Sequence, residues 1–458
     1  MPFNLNKNML IAMHKTRPIE FSSSSYVYLQ IIQLIMSFLC PMLCRCTESE
    51  SKFIQRVIKE IPNREPSFVA NAKYPVGIDI QVEAIELLLD MESNDAYMVG
   101  IYGLGGIGKT TISQAVYKKI AKRFQGSCFL ENVRERSKIN DHKIQLQEKL
   151  LCTILRDNLK VDNVFGGTNL IKDRLQSKKV LLILDDVSDR KEVENLLGEY
   201  NWLASGSRVI ITTRNKQVLN SLGIVHRIYK VKELNESDAH KLFIACAFRT
   251  SKYEEDYSEL VKKIICYAKG LPLALNIIGS DLCGKNIYEW KIALQKYKNI
   301  PHKGIQEILK ISYDGLEEIE KESFLDIACF FKGYNMGEVV KILDSCDLHP
   351  EYGIGRLIDK CLVTLECGHL SMHDLVQQMG REIARQEPKE LQQCSRIWHY
   401  KDAHKLLTGN MVYILCFSIF SKYFFIGFSL YNIVQNIIFS IYVLFKVSKS
   451  LYFCRILL

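Results

Sequence analysis

Apolar positions along this chain change their spacing near the middle. From residue 97 to residue 213, short uncharged runs alternate with amphipathic stretches; beyond residue 235 helical spacing takes over. Tyr97 to Tyr102 reads as a first strand and leads into a glycine-rich loop. Behind the loop, Ile112, Ala115, Val116, Ile120, Ala121 and Phe124 recur at helical spacing. Cys128 to Val133 predicts a second strand, and Ile144 to Leu155 and Leu170 to Leu175 predict helices. The unbroken apolar run Val180 to Leu184 is what a strand buried on both faces of a parallel sheet requires, and it ends in Asp185-Asp186. Ser207 to Thr213 predicts a further core strand.

After Asn235 the chain predicts helices at Glu236 to Ala247 and Tyr257 to Ala268. Gly270-Leu271-Pro272 then reads as a helix-ending glycine followed by a proline that opens the next helix. Helices follow over 288–295, 304–311, 321–331 and 336–345, with another starting at Arg356. Leu362 to Leu365 and His369 to Met372 predict a hairpin, and Leu375 to Arg385 a closing helix, the pattern of a winged-helix unit. Upstream, Glu48 to Ile61 predicts a linker helix, and Tyr74 to Ile78 a turn before a helix over Val82 to Met91. The expected fold is an α/β P-loop NTPase domain with a parallel sheet, then an all-α helical subdomain and a winged-helix subdomain. The expected boundaries are an atypical hydrophobic segment at 1–47, a linker helix at 48–74, a nucleotide-binding domain at 75–234, a helical subdomain at 235–300, a winged helix at 301–408 and a hydrophobic tail at 409–458.

Composition adds limits. Over 458 residues, 48% hydrophobic and 24% charged excludes wholesale disorder. A net charge of +9 with no block of like charges argues against a nucleic-acid arm. The 15 cysteines include no CxxC pair, and Cys246, Cys266, Cys329 and Cys361 lie in apolar stretches, so they are expected to be buried in a reducing compartment. The two ends differ from the rest. Phe21 to Cys44 carries no charge, and Tyr423 to Phe445 is uncharged and long enough to span a membrane, although Asn432, Gln435 and Asn436 interrupt it. Membrane attachment through the tail, or through the N-terminal segment, is one expectation; an aberrant tail is the other.

The chemistry concentrates at Gly103 to Thr111, which matches G-x-x-x-x-G-K-[ST]. Gly103, Gly105, Gly106 and Gly108 let the backbone wrap phosphate oxygens, Lys109 would reach the β- and γ-phosphates, and Thr110 would hold Mg²⁺. Strand, loop and helix N-terminus together make an anion site. Asp185 would hold Mg²⁺, and Asp186 would orient or deprotonate a water, unless the pair only caps a strand end. Arg214, at the end of the next core strand, would sense a γ-phosphate; the alternative is a surface arginine.

Taken in order, GLGGIGKTT at 103–111, FLENVRE at 129–135, KKVLLILDDV at 178–187, GSRVIITTR at 206–214, GLPLAL at 270–275, LDIACFFKG at 325–333 and MHDLVQQMGREIA at 372–384 resemble the NB-ARC module of plant intracellular immune receptors, in its TIR-linked form. The resemblance implies a cytoplasmic switch that holds ADP at rest and ATP when active, with at most slow hydrolysis. It places Val76, Gly77 and Ile78 beside the adenine and Pro272 near base and ribose. It puts the loop through Ile107 and Thr111 on the phosphates, and His373 on the ADP β-phosphate. It leaves open self-association or association with full-length receptors, and implies no nucleic-acid partner. A turnover ATPase and a membrane-attached remnant are the alternatives. Only 47 residues precede the linker helix and no leucine-rich repeat follows it, so a truncated gene, or non-coding sequence read as protein, is expected at one or both ends. Without a TIR segment no NAD hydrolysis is expected.

Overall fold

A computed structural model describes residues 75–249, 255–344, 350–386 and Arg396. Helix α1 (Asp79–Leu89) leads into β1 (Tyr97–Tyr102) and α2 (Lys109–Ile120). Then come β2 (Gly126–Leu130), the single turn α3 (Val133–Arg136), α4 (Asn140–Leu155) and α5 (Val164–Leu175). After them run β3 (Val180–Val187), α6 (Arg190–Leu197), β4 (Arg208–Thr213), α7 (Lys216–Ser221) and β5 (Ile228–Lys230). The strands form one sheet in the order β2-β3-β4-β1-β5, with every pair parallel. Parallel neighbours share one direction, so the loops after β1, β3 and β4 emerge along the same edge. Ligands of open α/β sheets bind there.

The core explains the strand assignments. Val180 to Leu184 and Val209 to Ile211 are fully buried between helices on both faces. β3 carries an irregularity between Leu184 and Val187, and within it Asp186 takes a φ of 57°. The bulge re-aims the two acids out of the ladder at the ligand edge.

The structure moves several expected boundaries. β2 starts at Gly126, which pairs with Val180, and ends at Leu130, because Asn132 turns left-handed at φ 54°. α5 begins at Val164, capped by the Asn163 side chain accepting from Gly166 N, a signal that propensity alone underweights. β5 was not predicted; at three residues it is too short to show a period. Cys246 and Cys329 are buried as expected, but Cys266 is exposed, because its helix buries Leu260, Val261, Ile264, Ile265 and Ala268 on the opposite side.

Helices α8 (Glu236–Ala247), α9 (Ser258–Ala268), α10 (Pro272–Leu282) and α11 (Ile287–Asn299) pack around a fully buried Trp290, with Phe243, Phe248 and Tyr257 against its ring. α12 (Lys303–Asp314), α13 (Glu318–Asp326), α14 (Met336–Asp344) and α15 (Pro350–Asp359) follow. The antiparallel pair β6 (Thr364–Glu366) and β7 (His369–Ser371) and helix α16 (Asp374–Gln386) complete a winged-helix arrangement. The expected helix over 321–331 changes to a π-helical turn at Ile327–Phe331. The linker helix, the N-terminal apolar segment and the stretch Tyr423 to Phe445 lie outside the described residues. Among the described residues no helix is long and apolar enough to cross a membrane.

Candidate functional site

The glycine loop joins β1 to α2 with Gly108 at the helix N-cap, so no side chain caps that N-terminus. Gly106 and Gly108 have φ of 79° and 102°, which residues with a Cβ rarely adopt. A Cβ on Gly106 would lie 2.5 Å from Leu273 Cβ, and Leu273 N donates to Gly106 O at 3.2 Å. The N-terminus of α10 therefore docks on the loop, and Pro272 Cγ lies 4.0 Å from where a Gly108 Cβ would be.

Lys109 folds back under the loop, and its Nζ donates to Gly103 O and Leu104 O, both at 2.9 Å. An ammonium has three donors, so one remains for an anion. Burial pushes its pKa down to about 8, and the Arg214 guanidinium pushes the same way. Arg214 Nη1 would stand 2.9 Å from a Gly105 Cβ, so a second cation lies directly on the loop. Two cations and a helix N-terminus around a loop with no Cβ to spare fit a polyphosphate.

The lowered lysine pKa makes affinity depend on pH. Phosphate binds the charged ammonium, so affinity is full below the free-protein pKa of about 8 and falls above it. Binding of nucleotide to the stripped protein should weaken roughly fivefold from pH 8 to pH 9, as the charged fraction falls from about a half to about a tenth. Titration calorimetry at fixed ionic strength reads this; a flat profile would place the lysine away from the phosphates.

At the end of β3, Thr110 Oγ1 donates toward both oxygens of Asp185, at 3.0 and 2.9 Å. Thr212 Oγ1 donates to Asp185 Oδ1 at 2.6 Å and accepts from Asp186 N at 2.9 Å. That hydroxyl on β4 replaces the ladder bond lost at the bulge; sequence reading did not single it out. Burial raises the pKa of Asp185, opposed by the hydrogen bonds from Thr212 and Thr110. A buried carboxylate beside a hydroxyl is a hard oxygen pair of the kind Mg²⁺ takes when phosphates complete its shell. Among the described residues no group of three His, Cys, Asp or Glu side chains gathers as a metal site.

Asp186 is held from both sides. Arg134 places Nε and Nη2 on Oδ2 at 3.0 and 2.8 Å, and Arg214 Nε lies 3.2 Å from Oδ1. Burial opposes its ionisation, but Arg214 and Arg134 outweigh that and keep its pKa below the usual carboxylate range. Arg214 also donates from Nη1 to Ile308 O of α12 at 2.8 Å.

The remaining expected residues divide into two groups. Gly77, at φ 68°, packs against Leu234 and Asp238; Val76 and Ile78 join the core. Leu234 N donates to Gly270 O, and Val231 N to Tyr102 O. Residues 231–234 thus link the turn at 76–78, the Gly270 loop and the phosphate loop. Ile107 points its side chain into the core at 2% exposure, leaving only its backbone for a ligand. Thr111 is half-buried in the first turn of α2. His373 lies 3.4 Å from Lys269 O through Nε2, while Nδ1 accepts from Leu375 N at 3.2 Å. Its structural partner is therefore the residue before Gly270, and the bond from Leu375 selects the Nε2–H tautomer. Burial lowers its pKa. Asp374 pairs with Lys269 at 2.8 Å and with Lys332, so the hairpin end ties two helical regions together.

Comparison with known proteins agrees with this fold. The NB-ARC domain family matches residues 79–253, and the winged-helix domain of Roq1-like disease resistance proteins matches 317–388. Disease resistance protein RUN1 of Vitis rotundifolia is 47% identical over 338 residues, covering 73% of this chain and 25% of RUN1. RPV1 of the same species is 45% identical, covering 73% of this chain and 24% of RPV1. TMV resistance protein N of Nicotiana glutinosa is 38% identical, covering 79% of this chain and 32% of that protein. The chain spans a quarter to a third of the length of these relatives. It is built on a nucleotide-binding NB-ARC domain, followed by a winged-helix domain of the Roq1-like disease resistance kind.

Proposed function

We propose that the chain acts as an ADP/ATP switch of a plant intracellular immune receptor, in the cytoplasm, rather than as a turnover ATPase. The observation that carries this reading is the threefold engagement of Arg214. One guanidinium lies on the phosphate loop, on Asp186 and on a backbone carbonyl of α12, so a change at the phosphates is felt in the helix that leads into the winged-helix domain. Lys109, Thr110, Thr111 and the loop glycines would hold the phosphates, and Pro272 and residues 76–78 the nucleoside. Thr110 and Asp185 would hold Mg²⁺, which neutralises phosphate charge when bound. Arg214 would report the third phosphate. His373 would act on the diphosphate state through the Lys269–Gly270 turn that it touches. Both oxygens of Asp186 are occupied by guanidiniums, which leaves it poorly placed to activate water and accords with slow hydrolysis. Ligand-dependent preference between two arrangements is all a switch needs. Association with another receptor chain would follow exposure of surface in the ATP arrangement.

Nucleotide released by heat from the freshly purified chain, identified by mass spectrometry, is expected to be ADP at close to one per chain. Turnover of added ATP should stay below about one per minute, far under ordinary enzyme rates. Rapid multiple turnover would favour the motor reading instead.

A further inference from the structure

We infer that Arg134 is a positioning residue: by keeping Asp186 paired, it lets Arg214 leave for a third phosphate. The inference rests on the reading of Arg214 as the γ-phosphate sensor and adds the residue that lets it move. Arg134 comes from the single turn α3, placed by the left-handed Asn132. Its side chain reaches across to the end of β3.

The two arginines do not compete for the same oxygen. Arg134 uses two N–H groups on Oδ2, at 3.0 and 2.8 Å; Arg214 uses one on Oδ1, at 3.2 Å. The side chains of Asp186, Arg134 and Arg214 are only 14%, 17% and 19% exposed. A carboxylate largely removed from water is costly to leave unpaired. If Arg214 were its only cation, moving that guanidinium to a phosphate would strand Asp186, and the exchange would gain little. With Arg134 in place, Asp186 keeps its two shorter charge-assisted bonds and opens only Oδ1. The longer single contact identifies Arg214 as the partner that lets go. Its departure also breaks the bond to Ile308 O, so the exchange is coupled to α12.

If Arg134 only clamps α3 to β3, its loss weakens every nucleotide alike. If it frees Arg214, its loss pins Arg214 to Asp186 and weakens triphosphate selectively. The test uses the full chain, stripped of nucleotide, with dissociation constants for ADP and for a non-hydrolysable ATP analogue. Arg214→Gln should lower the preference for the analogue over ADP about tenfold, the worth of one charge-assisted hydrogen bond. An unchanged preference there removes the sensor reading itself. Given that shift, Arg134→Gln should cost the analogue about tenfold while ADP stays within about twofold. Adding Asp186→Asn to Arg134→Gln should restore most of the preference, because a neutral amide no longer pins Arg214. Equal weakening of both ligands, or no recovery in the double variant, overturns the inference. Should Arg134→Gln not fold, Arg134→Lys keeps the charge with one prong and is expected to shift the preference about threefold; an unchanged preference in it counts equally against the proposal.

Discussion

Replacing Lys109 with Arg is expected to yield a folded protein that purifies without nucleotide. The ammonium is 7% exposed and spans two loop carbonyls at 2.9 Å, leaving one donor toward the phosphates. A guanidinium keeps the charge but is longer, planar and forked, and it would stand against the Arg214 guanidinium already lowering the lysine pKa. It cannot staple Gly103 and Leu104 and point at an anion from the same place. Losing a charged contact to phosphate costs roughly 3 kcal/mol, about a 150-fold rise in Kd for ADP. Nucleotide released on denaturation and calorimetric titration both read it. ADP retained at the wild-type level would remove Lys109 from the phosphate site. The melting temperature of stripped protein should fall only modestly, because the guanidinium can still donate to one of the two buried loop carbonyls.

The second large effect concerns stability. Arg208, the first residue of β4, is 1% exposed and has no carboxylate partner among the described residues. It donates instead to the carbonyls of Leu89, Asp90, Ser93, Asp95 and Ser207, at 2.5 to 2.9 Å. Its guanidinium also lies 4.8 Å from the centre of the Tyr97 ring. One side chain thus closes the C-terminus of α1 and the loop that leads into β1. Arg208→Ala leaves these acceptors to find water or go unpaired, each at about 1–3 kcal/mol when buried. Because the loop can partly open to solvent, a loss of about 4 kcal/mol is expected, a fall in Tm of roughly 10 °C for a unit of this size. Arg208→Lys, with three donors and no fork, should recover less than half. A melting curve unchanged in Arg208→Ala would mean that the carbonyls are already hydrated. Nucleotide affinity measured well below Tm should move little, because these contacts lie at the sheet edge opposite the phosphate loop.

Much of the site was legible because its signals are local. The run Val180 to Leu184 can only be a doubly buried strand, so Asp185 and Asp186 had to emerge at a strand end; the glycine loop followed by helical spacing placed Lys109 at a helix N-terminus. Arg214 was legible for the same reason, as the first residue past β4. Arg134 and Thr212 were not. Each acts on a residue of another strand, and only the order β2-β3-β4-β1-β5 brings α3 and β4 to either side of the β3 bulge. His373 is intermediate: resemblance led to expecting it at the nucleotide, whereas the structure joins it to Lys269, one residue before the Gly270 turn.

Taken by itself, the sequence determined the kind of fold and the list of phosphate-facing groups. Burial of apolar runs and the freedom of glycine are properties of short segments, and no partner elsewhere is needed to express them. The tertiary structure decided which charges meet. Whether Asp186 is a base or a counter-ion, and whether Arg214 is free or tied to α12, depends on hydrogen bonds a few ångströms long between residues far apart in the chain. No periodicity encodes those distances, and the strand order and the docking of α10 and α12 on the phosphate loop set them.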